Sequence, residues 1–112
     1  MKKYSIAVSQ FNQKITHKML VETQKRLREL GVTNDEITTI EVPGAVELPY
    51  AALQFAKTKQ YSAVICLGLV IQGGTDHYDY VCNQVSYGCQ KVMLEHDIPV
   101  VFGVLTTQNE KV

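Results

Sequence analysis

The sequence runs to 112 residues, 46% of them hydrophobic, with eleven lysines and arginines balanced by eleven aspartates and glutamates. That length suits one domain, residues 1–112, which still leaves much of its surface open to solvent, so association with further copies is a ready way to bury more of it. The charge balance excludes an electrostatic footprint for nucleic acid or an acidic membrane surface, the apolar content excludes a disordered chain, and "MKKYSIAVSQFN" is too short and interrupted for a signal peptide or membrane span. A cytoplasmic protein that binds a small ligand is the expectation.

Taken in chain order, apolar periods alternate between two kinds. Residues 4–9, "YSIAVS", read as a strand, and 13–30 as a helix with Ile15, Met19, Leu20, Leu27 and Leu30 near one face and charged residues on the other. Gly31 then supplies the left-handed residue that a helix end favours. "EITTIEV", 36–42, alternates as a strand does and is closed by Pro43. A helical pattern follows from Ala45 to about Lys57, with Pro49 in its first turn, where the missing N–H costs little. "SAVICLGLVI", 62–71, is a nearly unbroken apolar run, the mark of a central strand covered on both faces. Residues 79–96 form a third helix with Val81, Val85, Cys89 and Val92 on its buried side, and "IPVVFGVLT", 98–106, is a fourth strand.

Alternating strands and helices imply parallel pairing through right-handed crossovers, an α/β open sheet with helices on both faces. Ligands of such sheets bind outside the carboxyl ends of the strands. That rule brings Phe11 and Asn12, "PGAVE", "QGGTDH" and the segment after Phe102 to one rim.

Several residues there carry usable chemistry. Gly73, Gly74 and Thr75 stand between the third strand and third helix, where glycines permit close approach and helix-start amides point toward an anion; a plain capped turn is the alternative. His77 follows, and an imidazole beside a bound phosphate is placed to move protons in a carbonyl or imine reaction. Asp76 and Asp79 either orient it or complement the helix dipole. Phe11 either stacks on a planar heterocycle or folds back onto the core, and Glu47 either answers the dipole of the second helix or accepts hydrogen bonds from ligand hydroxyls. His17 and His96 read as solvated helix-surface residues. Cys66, Cys82 and Cys89 lack CxxC spacing and read as reduced core thiols, and the scattered histidines give no zinc pattern.

Taken together, "SQFN..IT", "VPGAVELP", "GLVIQGGTDHYDYV" and "PVVFGVLTT" resemble, in order and spacing over nearly the whole chain, the 6,7-dimethyl-8-ribityllumazine synthase family. The resemblance implies a three-layer flavodoxin-like fold, here with four strands and about three helices, and condensation of 5-amino-6-(D-ribitylamino)uracil with 3,4-dihydroxy-2-butanone 4-phosphate, with release of phosphate and no cofactor or metal. It also implies a homo-oligomer, a pentamer or a 60-mer icosahedral shell, with sites between neighbouring subunits. Carried onto this chain, Phe11 resembles the residue stacking on the pyrimidine, Ala45, Val46 and Glu47 its polar and ribityl contacts, and Leu69, Val70 and Ile71 the segment holding the pyrimidine edge. Gly74 and Thr75 resemble the phosphate loop, His77 the proton-transfer residue, and Phe102 an aromatic reaching into the neighbouring subunit's site.

Two substitutions depart from the pattern: Val46 stands where many relatives carry an aromatic residue, and Gln72 where many carry a basic one. The family also continues past "LTT" into a C-terminal helix and strand region whose early part carries a phosphate-binding arginine, whereas this sequence ends at "QNEKV". The expectation is impaired or absent synthase activity with much of the ligand rim retained. The alternative is a non-catalytic ligand-binding or self-assembling module that keeps the fold and lacks the arginine.

Overall fold

The structure, a computed structural model, describes residues 2–71 and 77–107. Four strands, β1 (Tyr4–Ser9), β2 (Ile37–Val42), β3 (Ala63–Ile71) and β4 (Val100–Thr107), alternate with three α-helices, α1 (Gln13–Glu29), α2 (Leu48–Thr58) and α3 (His77–His96). All pairings are parallel, in the order β2-β1-β3-β4. This is the α/β, flavodoxin-like, three-layer arrangement expected from the alternation of elements.

Side-chain parity assigns the two helical layers. In β1, Ile6 and Val8 point to one face and, with Leu67 of β3, receive Met19, Leu20 and Leu27 of α1. Ala7, Val64, Cys66 and Val70 point the other way, onto Leu48, Ala52 and Phe55 of α2 and Val85, Cys89 and Val92 of α3. The unbroken apolar run of β3 thus supplies both faces at once, as a central parallel strand must. The α1 layer is thinner: Thr16 is its one buried residue. Leu30, expected near the apolar face, is 64% exposed, because α1 ends at Glu29 and the chain turns away there through Gly31 at φ 97°. Leu30 is then displaced from the helical stripe that its spacing suggested.

Two other boundaries differ from the sequence expectation. The helical pattern from Ala45 is split into a 3-10 turn, Ala45–Glu47, and α2 proper, with Pro49 at the start of α2. α3 begins at His77, two residues earlier than its apolar period indicates. α2 and α3 pack closely because Gly88 presents no side chain: a Cβ there would lie 2.6 and 2.8 Å from Cβ and Cγ of Pro49.

Cys66 and Cys89 are buried and free, as read from the sequence, while Cys82 is half-buried. The sulfurs of Cys66 and Cys89 are 4.0 Å apart, and this contact together with burial pushes the Cys66 thiol up, so it stays protonated.

Before β2, a 3-10 turn at Asn34–Glu36 is closed by the Thr33 N–H, which donates to Oε1 of Glu36 at 2.9 Å, and by the Thr33 hydroxyl at 3.1 Å. These bonds, the backbone one foremost, hold the Glu36 carboxyl below its ordinary value of 4.5. A depressed carboxyl means that the native state binds fewer protons, so its contribution is present above that ordinary value and is lost as pH falls through the lowered one. Glu36→Gln, which keeps an acceptor and removes the charge, should flatten the fall in denaturant midpoint between about pH 6 and about pH 3. Equal slopes in the variant and the parent would show that Glu36 contributes nothing there.

Candidate active site

The strand order reverses at β1: the chain leaves it toward β2 on one side and β3 lies on the other. A crevice forms at such a switch point because the crossover helices depart to opposite faces. β1 ends at Ser9, paired with Val42, and its last pairing to β3 is Val8 with Leu67. β3 continues beyond this to Ile71, held by β4 through pairs ending at Ile71 with Thr107. Residues 69–71 thus stand past the end of β1 and present to the crevice a strand edge with no β1 partner.

A depression of about 400 Å³ occupies this place, lined by Phe11, Ala45, Glu47, Leu69, Val70 and Ile71. All six were expected from the sequence, and three separate segments bring them together. Phe11 is 50% exposed, so of the two readings open for it the ring stands at the rim rather than folded into the core. Its placement follows from Asn12, whose left-handed backbone (φ 58°) turns the chain sharply from β1 into α1. Ala45 is buried in the floor. The Gly44 N–H donates to Oε1 of Glu47 at 2.8 Å, which fixes the carboxylate over the turn that leads into α2. The side chain remains exposed, and among the described residues only Gly44 donates to it. A charged acceptor oxygen is therefore held at the mouth of an apolar slot.

Other expected residues fall elsewhere. Val46 is 45% exposed on the same 3-10 turn but does not line the depression, since neighbours on so tight a turn point in different directions. Phe102 is 43% exposed on the edge strand β4 and pairs with Cys66. It stands three residues short of Leu105, the register partner of the crevice residue Leu69, roughly 10 Å along the strand at about 3.3 Å per residue, and it does not line the depression. Gln72, Gly74 and Thr75 lie outside the described residues, and His77 is described only as the backbone start of α3. That start brings the first turns of α3 to the same rim, where Val81 completes the lining with Pro43 and Gly44. Pro43 and Gly44 belong to a motif already singled out, whereas the periodicity of α3 marked Val81 only as a buried position.

A second depression of about 380 Å³ lies across the Gln10–Asn12 turn, on the α1 side, lined in part by Gln10, Lys14, His17 and Glu41. The Gln10 amide donates to Glu41 at 2.7 Å. None of the expected ligand contacts lines this second hollow.

The arrangement can stack a flat ring and exchange hydrogen bonds with it. An exposed aromatic face offers stacking, a free strand edge offers alternating donors and acceptors, and a fixed carboxylate offers an acceptor for hydroxyls.

The family model of 6,7-dimethyl-8-ribityllumazine synthase matches residues 1–112. Proteins named 6,7-dimethyl-8-ribityllumazine synthase from Coxiella burnetii strains CbuG_Q212 and RSA 493 / Nine Mile phase I are each 56% identical to this chain over 109 residues, covering 97% of it and 72% of their own length. The protein of that name from strain Dugway 5J108-111 is 54% identical over the same coverage. With the match running through the strands, the turns and the residues gathered at the β1/β3 crevice, this chain belongs to the 6,7-dimethyl-8-ribityllumazine synthase family.

Proposed function

We propose that the crevice between β1 and β3 is where this transferase of riboflavin biosynthesis condenses 5-amino-6-(D-ribitylamino)uracil with 3,4-dihydroxy-2-butanone 4-phosphate. The products are 6,7-dimethyl-8-ribityllumazine and inorganic phosphate. The observation that carries this reading is the convergence of Phe11, Ala45, Glu47 and residues 69–71 on one depression at the switch point. In it Phe11 stacks on the pyrimidine, the backbone of residues 69–71 pairs with its edge, and Glu47 accepts from the ribityl hydroxyls. Gly74 and Thr75 hold the phosphate of the second substrate through backbone and hydroxyl donors. His77 carries protons between the reacting amine and carbonyl and assists phosphate departure.

Most of the acceleration then comes from holding two substrates in register, since neither imine formation nor phosphate loss from the resulting intermediate demands a strong acid or base. Val46 and Gln72 tune affinity rather than chemistry. Phe102, exposed on an edge strand and absent from the lining of its own crevice, belongs to the site of an adjacent copy, within a pentamer or a sixty-subunit shell of the cytoplasm.

Calorimetric titration with the ribitylaminouracil tests the site directly. Phe11→Ala should weaken binding roughly five- to tenfold, the worth of about 1 kcal/mol of stacking. Glu47→Ala should weaken it by a similar factor, whereas Val46→Ala should change it less. Parent-like affinity in both Phe11→Ala and Glu47→Ala would remove the crevice as the pyrimidine site.

A further inference from the structure

Two thiols that this chemistry does not use meet in the core beneath the site. Cys66 on β3 is fully buried and Cys89 on α3 is 3% exposed; both are free, and their Sγ atoms lie 4.0 Å apart. A disulfide requires about 2.05 Å, so closure asks for about 2 Å of approach between sulfurs that already face each other. The two elements they join also carry the walls of the crevice. β3 runs on from Cys66 to Leu69, Val70 and Ile71, and α3 carries Val81 two turns before Cys89. In a close-packed interior, drawing one such element onto the other displaces what lies along both.

We propose that Cys66 and Cys89 form an oxidisable pair whose disulfide pulls α3 against β3 and narrows the crevice between Val81 and residues 69–71. The oxidant is a peroxide. With hydrogen peroxide, the Cys89 sulfur attacks one oxygen, the O–O bond breaks, and the departing hydroxide leaves as water, giving a sulfenic acid. The Cys66 sulfur then attacks that sulfenic sulfur, the S–O bond breaks and a second water leaves. The two thiols together lose two electrons and two protons, and the peroxide gains both. Burial shields both sulfurs from solvent, so the reaction proceeds through local opening of α3 and is slower than at an exposed cysteine. The narrowing rests on the crevice being the substrate site; formation of the bond does not.

The test treats the folded protein with hydrogen peroxide, blocks remaining thiols, and maps peptides by mass. A cross-linked peptide containing Cys66 and Cys89, lighter by two hydrogens than the reduced pair, is expected in the parent and in Cys82→Ala, and not in Cys66→Ala or Cys89→Ala. Oxidised protein should bind the ribitylaminouracil several-fold more weakly, dithiothreitol should restore the affinity, and Cys89→Ala should bind equally before and after peroxide. Recovery of Cys66 and Cys89 as thiols, or as separately over-oxidised residues, overturns the pair. A cross-link that leaves affinity unchanged overturns the narrowing. Protein that never binds the uracil defeats the site assignment and the narrowing with it, while the peptide map still decides the bond.

Discussion

Leu48→Ala is expected to cost about 3 kcal/mol of folding stability, within the range for truncating a fully enclosed leucine. Leu48 has no exposed surface and begins α2 directly beneath the crevice. Its Cδ1 lies 3.0 Å from where a Cβ on Gly68 would be, so the helix start and the central strand are in van der Waals contact at this point. The loss has two parts, the transfer of the missing methyl groups and the cavity left in a close-packed interior. Leu30→Ala is the matched control, since a leucine 64% exposed past the end of α1 should change stability by less than about 0.5 kcal/mol. Urea denaturation of both variants, followed by far-ultraviolet circular dichroism, makes the comparison. Equal losses at the two positions would contradict the packing described for α2 against β3. Because Ala45 and Glu47 immediately precede Leu48, the same variant should also loosen the floor of the site and weaken ligand binding alongside stability.

The second large effect is on turnover. His77→Ala should lower kcat by about 10- to 100-fold, at the low end of what a positioned general acid or base contributes, and should leave KM for the uracil little changed. The reason for a modest figure is that orientation of the two substrates, which Phe11, Glu47 and residues 69–71 would supply, survives the substitution. Steady-state rates with both substrates varied give the split between kcat and KM. Parent-like turnover would take His77 out of the mechanism, and a large rise in KM with unchanged kcat would make it a binding residue instead. Paired with Phe11→Ala, which should act mainly on binding, it separates the two halves of the proposed site.

The sequence by itself determined the order and type of every strand and α-helix and the rim at which the candidate site residues gather. The alternation in β2, the apolar run in β3 bounded by turn residues and the 3.6-residue period in α3 each favour one backbone type, and the parallel crossover rule then leaves few ways to arrange them. Phe11, Ala45 and Glu47 were legible because each sits within a few residues of a strand's carboxyl end, which topology alone sends to one edge, whereas residues 69–71 followed only from the family resemblance. Gly31 marked the end of α1, but the apolar period alone could not show that Leu30, just past the last helical turn, leaves the buried stripe and is exposed. Nor could the place of Phe102 be read from its motif, because its distance from the rim depends on how far β4 runs beside β3. The tertiary structure also decided which face Val46 and Val81 turn toward, the contact of Gly88 with Pro49, and the meeting of Cys66 with Cys89. These depend on the register between elements distant in sequence, a relation fixed by the packing of their side chains and not by the period of either one.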